Sequence, residues 1–132
     1  MNKGLEQWHK IMRSGDTKAL FELIHPDCVF WSPVVHTPQV GRDITFAYLS
    51  AATDVLSDGF EYTREIVSED HAVLEFITTV DGIFVNGVDI ITFSDDKILE
   101  FKVMVRPLKA VNAVHRQMGE MLEKLKAVSA TH

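Results

Sequence analysis

The sequence predicts a single α+β domain. Its 132 residues suit one hydrophobic core. Up to Gly59 the apolar positions recur mainly at helical spacing, and from Phe60 they change to an alternating period. That alternation runs through four segments separated by turn formers, and a last amphipathic helix follows. There is no internal repeat and no separating linker, so residues 1–132 are expected to form one domain.

Leu5, Trp8, Ile11 and Met12 mark the first helix. Ser14-Gly15-Asp16 then supplies a terminating glycine and a capping aspartate for the second. Ala19, Leu20, Leu23 and Ile24 form the inward face of that second helix, which Pro26 stops. Cys28-Val29-Phe30-Trp31 reads as a short strand ended by Ser32-Pro33. Beyond Gly41, the residues Ile44, Tyr48, Ala51, Ala52 and Val55 mark the buried face of a third helix, which ends near Ser57-Asp58-Gly59.

Four strands are predicted next, over residues 60–67, 72–80, 83–93 and 98–106. The breaks at Ser68-Glu69-Asp70, Asp81-Gly82 and Ser94-Asp95-Asp96 suit tight turns, giving an antiparallel meander. Pro107 ends the last strand. Leu108, Val111, Val114 or His115, Met118, Met121, Leu122 and Leu125 then line the inner stripe of the final helix. A strongly curved sheet with helices on one face leaves a concave interior suited to a ligand.

Composition excludes several functions. Hydrophobic residues make up 46% and charged residues 24%, an ordinary globular balance. A net charge of −6 with 13 scattered basic residues argues against nucleic-acid binding. No stretch approaches the apolar length of a membrane span, and residues 1–10 lack a signal-peptide core, so a cytoplasmic protein is expected. Cys28 is the single cysteine and reads as a small buried hydrophobe. No His-x-x-x-His pair and no serine triad spacing occurs, so neither a metal nor another cofactor is expected.

The expected pocket is apolar, lined by Trp8, Phe30, Ser32 and Tyr48 together with Phe101, Val103 and Val105. Leu99 shares the alternating apolar face of the last strand. Asp89 stands out because Val85, Gly87, Ile91 and Phe93 share its side of an apolar strand. Either a neighbouring hydroxyl or backbone group satisfies its carboxyl, or the carboxyl faces a ligand; burial would keep it neutral and make it a donor. Trp8 is core filling or pocket wall, and Trp31 reads as core. Ser32 either faces the pocket with Phe30 or organises the turn before Pro33. His25, His36 and His71 fall in loop-like segments; His36, beside the expected mouth, is the candidate base. Met104 and the charged residues on the outer sheet face, with Glu75 on the neighbouring strand, suit a two-fold contact between copies.

Taken together, Gly15-Asp16, Pro26-Asp27 through Ser32-Pro33-Val34, Gly41 and the run from Gly87 to Phe93 resemble the nuclear transport factor two-like superfamily, in its SnoaL-like and ketosteroid-isomerase-like branch. The resemblance implies a cone-shaped, cystatin-like α+β barrel whose curved sheet wraps around the N-terminal helices, plus a C-terminal helix. It also implies a homodimer. Steroid isomerases of that branch use a carboxylate base before a Pro-Val pair, a tyrosine in the first helix and a protonated aspartic acid on a later strand. The corresponding positions are Ser32, Trp8 and Asp89. Only Asp89 matches, and an unactivated serine hydroxyl does not act as the base of that mechanism. The functions left open are a cofactor-free isomerase, lyase or cyclase for a small apolar carbonyl compound, a non-catalytic binding module, and a dimeric interaction domain with a filled cavity.

Overall fold

The computed structural model describes the backbone of residues 2–130 and the side chains of residues 2–124. Helix α1 spans Lys3–Ser14 and α2 spans Thr17–Leu23. The Asn2 side chain accepts a hydrogen bond from the Leu5 amide at the start of α1. Gly15 closes that helix in the left-handed region at φ 72°, and Asp16 caps α2 through the Ala19 amide. Both helix boundaries lie where the Ser14-Gly15-Asp16 signal places them.

Strand β1 is Ile24–Trp31, longer than the sequence predicts. Ile24 begins the strand rather than ending the helix, and Pro26 lies inside it. The reason is a register shift against strand β6 (Lys97–Arg106): five positions of β1, from Ile24 to Val29, pass two of its partner. Pro26 sits in that irregularity, where its missing N–H removes no ladder bond. A two-residue strand β2, Gln39–Val40, pairs with β1 and went unpredicted. It is too short to show a period.

Helix α3 covers Arg42–Val55. Its fully buried face is Thr45, Leu49 and Ala51, whereas the predicted Ile44 is 38% exposed. Tyr48, Ala52 and Val55 are only partly buried. Tyr48 and Ala52 border an open cavity instead of packed core.

The strands β3 (Glu61–Ser68), β4 (His71–Val80), β5 (Ile83–Ser94) and β6 form the predicted meander, each boundary within about one residue. Glu69, Asp81, Gly82, Asp95 and Asp96 take positive φ in its turns. The six strands lie in the order β2-β1-β6-β5-β4-β3. The sheet is mixed, because β1 runs parallel to β6. A second register shift between Thr92 and Phe93 turns Ile98 into the core, so Leu99 leaves the apolar face predicted for it.

Helix α4, Leu108–Ala130, packs on α3 and the sheet. Leu108 is 75% exposed, and the inner stripe begins at Ala110, Ala113 and Val114. Leu125 lies outside the described side chains. On the opposite side of the domain, α1, α2 and the Ile24–Phe30 part of β1 bury Leu5, Trp8, Leu20, Leu23 and Phe101 in one cluster. Phe76, Val80 and Val85 form a second cluster with α4. Between the clusters the interior is hollow.

Candidate functional site

A cavity of about 430 Å³ opens between the helices and the sheet. That size accommodates a small organic ligand. Its walls include Trp8 of α1, Phe30 of β1 and Tyr48 of α3. Asp89 of β5 and Phe101, Val103 and Val105 of β6 complete the wall that alternation assigned to it, and Ser32 lies at its rim. The rings form a connected surface: Tyr48 stacks on Phe30 at 5.0 Å, Phe30 on Phe101 at 6.2 Å, and Phe101 meets Trp8 at 5.1 Å. A hollow interior tells against a cavity filled by the protein's own side chains.

Asp89 is 6% exposed and lines the same cavity. Strand alternation turns it inward with Val85, Gly87, Ile91 and Phe93. Gly87 brings the ring of Phe76 against the backbone two residues away, where a Cβ would collide with that ring. The Tyr62 hydroxyl donates to Asp89 Oδ2 at 2.8 Å and accepts from Trp8 Nε1 at 3.0 Å. The indole nitrogen can only donate, and the phenolic hydroxyl that accepts from it donates in turn to Asp89.

Burial pushes the Asp89 carboxyl up to about 7, while the bond from Tyr62 pulls it partly back. Desolvation also holds the Tyr62 hydroxyl well above the ordinary phenol range, and the Asp89 charge adds to that. With Oδ2 accepting from Tyr62, a neutral Asp89 carries its proton on Oδ1. Asp89 accepts no other side-chain hydrogen bond among the described residues. The chain therefore ends in a carboxylic O–H available to an acceptor in the cavity.

Tyr62 escaped the sequence reading. Phe60 and Tyr62 alternate at the start of β3 and both line the cavity, their rings 5.0 Å apart. That alternation was the available signal, masked because the remainder of β3 is exposed on both faces. His115, assigned to an apolar stripe, also lines the cavity.

His36 does not enter the cavity lining; its side chain is exposed in the loop after β1. Ser32 explains that geometry, since its Oγ accepts from the amides of Val34 and Val35 and folds the chain into a tight turn. Trp31 lies neither in the core nor in the cavity. Its Nε1 donates to Glu100 at 3.0 Å and Lys102 sits over its ring, on the outer side of the sheet. His25 lies within β1, where its Nδ1 accepts from the Asp27 amide, and His71 begins β4 beside Thr92. Cys28 is buried, and burial raises its thiol to about 11. Among the described residues no cluster of three potential metal ligands occurs, and no helix is long and apolar enough to cross a membrane.

The fold is thus an α+β cone with a buried carboxyl in an apolar cavity. Residues 5–101 match the SnoaL-like domain family, and the chain belongs to that family. A crystal structure described as a steroid delta-isomerase from Pseudomonas aeruginosa is 35% identical, with a TM-score of 0.88 over 94% of this chain and 92% of that one. A cystatin-like protein from Silicibacter pomeroyi is 28% identical, with a TM-score of 0.84 over 91% and 85% of the two chains. A putative polyketide cyclase from Sinorhizobium meliloti shares the fold at 20% identity, with a TM-score of 0.65 over 79% of this chain and 95% of that one. No curated protein matches the chain.

Proposed function

We propose that the cavity binds a small, largely apolar carbonyl compound and that the protein acts on it as a cofactor-independent isomerase, lyase or cyclase. The observation that carries this is Asp89: a carboxyl driven toward its neutral form, its O–H free at the end of the Trp8–Tyr62 chain, inside an apolar cavity. A donor of that kind stabilises negative charge developing on a carbonyl oxygen as an enolate forms. The P. aeruginosa relative named for isomerase chemistry supports the reaction class. The steroid isomerase mechanism with its base on β1 is not carried over, because Ser32 occupies that position and its hydroxyl is engaged in the turn.

That engagement favours one second reading, a module that holds the same ligand without turnover. Both readings require binding at Asp89. Trp31→Phe removes the outer indole, so Trp8 alone reports on the cavity. Titration with small phenols, enones and hydroxyketones should give saturable quenching that weakens about tenfold in Asp89→Asn, the worth of one good hydrogen bond. No quenching by any of these compounds would overturn the proposal.

Two copies are further proposed to meet through the outer sheet face, where Ile66 and Met104 are exposed among Arg64, Glu75 and Arg106. A cytoplasmic site of action fits the buried, unpaired thiol of Cys28.

A further inference from the structure

We infer that His115, on the C-terminal helix, is the proton-transferring base of this cavity. The inference rests on the carbonyl-binding reading above and supplies what that reading lacks. An enolate requires removal of a proton from the carbon beside the carbonyl, and a carboxyl that is donating its own proton to the carbonyl oxygen cannot take that one up as well.

The cavity's other polar groups are committed or unsuited. Ser32 Oγ accepts two backbone amides. Asp16 also lines the cavity, but its carboxylate caps α2, a bond that taking up a proton would weaken. The Tyr62 proton is held by Asp89, and Tyr48 is a phenol on α3. His115 is the remaining side chain of the lining whose type accepts and returns a proton near neutral pH. Its ring makes no hydrogen bond or ion pair with any described residue, so a lone pair is available to a ligand.

The helix is held in the rotation that serves this role. Arg116 Nη2 donates to Asp81 Oδ2 at 2.6 Å, and Gln117 Nε2 donates to both Asp81 oxygens at 2.9 Å. Asp81 belongs to the turn between β4 and β5. These bonds tie one side of α4 to the sheet, while Val114, His115, Met118 and Leu122 border the cavity. The titratable groups that share the cavity with His115 are Asp16, Tyr48, Tyr62 and Asp89. On α4 itself the adjacent charge, Arg116, is turned to Asp81.

The proposed step balances without a co-reactant. His115 takes the α-proton, the C–H electron pair becomes the enolate π bond, and the oxygen is held by the Asp89 O–H. The imidazolium then returns its proton to the same carbon or to a conjugated one, regenerating the base.

The test uses 2-tetralone in D2O, with α-proton exchange followed by NMR above the buffer background and binding followed by Trp8 quenching. The expected result is exchange by the wild type with a bell-shaped pH dependence, rising as the base is freed of its proton and falling as Asp89 loses its O–H at about 7. His115→Gln should bind 2-tetralone within a few fold of the wild type yet exchange it about 100-fold more slowly or worse, with the rising limb of the pH profile gone and partial rescue by added imidazole. His115 is exposed, so the variant is expected to fold, as circular dichroism would confirm. Exchange by His115→Gln at the wild-type rate, or binding by the wild type without exchange, would overturn the inference and leave carbonyl binding intact. Absence of binding in the wild type would remove both.

Discussion

The Tyr62 hydroxyl lies 2.8 Å from Asp89 Oδ2 and cannot donate elsewhere without giving that bond up. One residue of the exposed strand β3 thereby lowers the proton affinity that burial raises in the carboxyl on β5. Tyr62→Phe should raise the Asp89 midpoint further, because the bond from Tyr62 is the influence that lowers it. The same change strands the Trp8 N–H in a buried setting and should cost about 1–3 kcal/mol of stability. Carboxyl-carbon NMR titration and urea melts check the two effects; an unmoved Asp89 midpoint would show that the hydroxyl does not govern it.

Stability should depend on pH through Asp89 in one direction. Its folded value, about 7, lies above the ordinary 3.8, so the folded state holds a proton that the unfolded chain has released. The stabilisation is complete below about pH 4 and is lost as pH rises through 7, on the order of 4 kcal/mol at about 1.4 kcal/mol per unit. Asp89→Asn keeps a neutral polar group in place and should flatten that part of the curve. Equilibrium unfolding of both proteins from pH 4 to 8 checks this; parallel curves would mean that Asp89 titrates normally.

Much of this architecture was legible in the sequence because its determinants are local. Gly15 and Asp16 mark the helix junction by backbone conformation and capping, and Asp81-Gly82 marks a hairpin by positive φ. Asp89 was visible because a carboxyl interrupts an apolar alternation. What stayed hidden depends on partners distant in sequence. Tyr62 matters through a residue 27 positions away, and Leu99 left its predicted face because β6 is shifted against β5. His36 was placed by proximity in sequence to the mouth, but the turn built on Ser32 carries it into solvent. The helical period that marked α4 could not show that His115 borders the cavity.

Two glycines make opposite predictions. At Gly87 a methyl group would meet the Phe76 ring and the Met104 carbonyl, so Gly87→Ala should destabilise by about 1–3 kcal/mol through overpacking. At Gly119, within α4, a Cβ meets nothing within 4 Å. Gly119→Ala should therefore stabilise by up to about 1 kcal/mol, the helix-propensity difference. Gly119 also lines the cavity, so Gly119→Trp should obstruct ligand entry while the fold survives. Thermal melts beside the tetralone titration separate the two effects. A destabilised Gly119→Ala would mean that α4 is more closely covered than the structure shows.

The outer sheet face sets the last prediction. Ile66 and Met104 are 58% and 51% exposed, and Val73 and Val88 lie in the same shallow depression, rimmed by Arg64, Glu75 and Arg106. Arg64 pairs with Glu75 at 3.5 Å within one chain, and such exposed charges can exchange partners with those of a two-fold copy at little cost. Apolar residues at the centre and charges of both signs at the rim make this patch self-complementary. Sedimentation at micromolar concentration should give twice the 14.9 kDa chain mass, and Met104→Arg, which places like charges across the two-fold axis, should shift the boundary to the monomer. A monomeric wild-type boundary would refute the dimer. If the dimer forms, the cavity stays on the far side of the sheet from the contact, so Met104→Arg should leave tetralone affinity within about twofold while abolishing association.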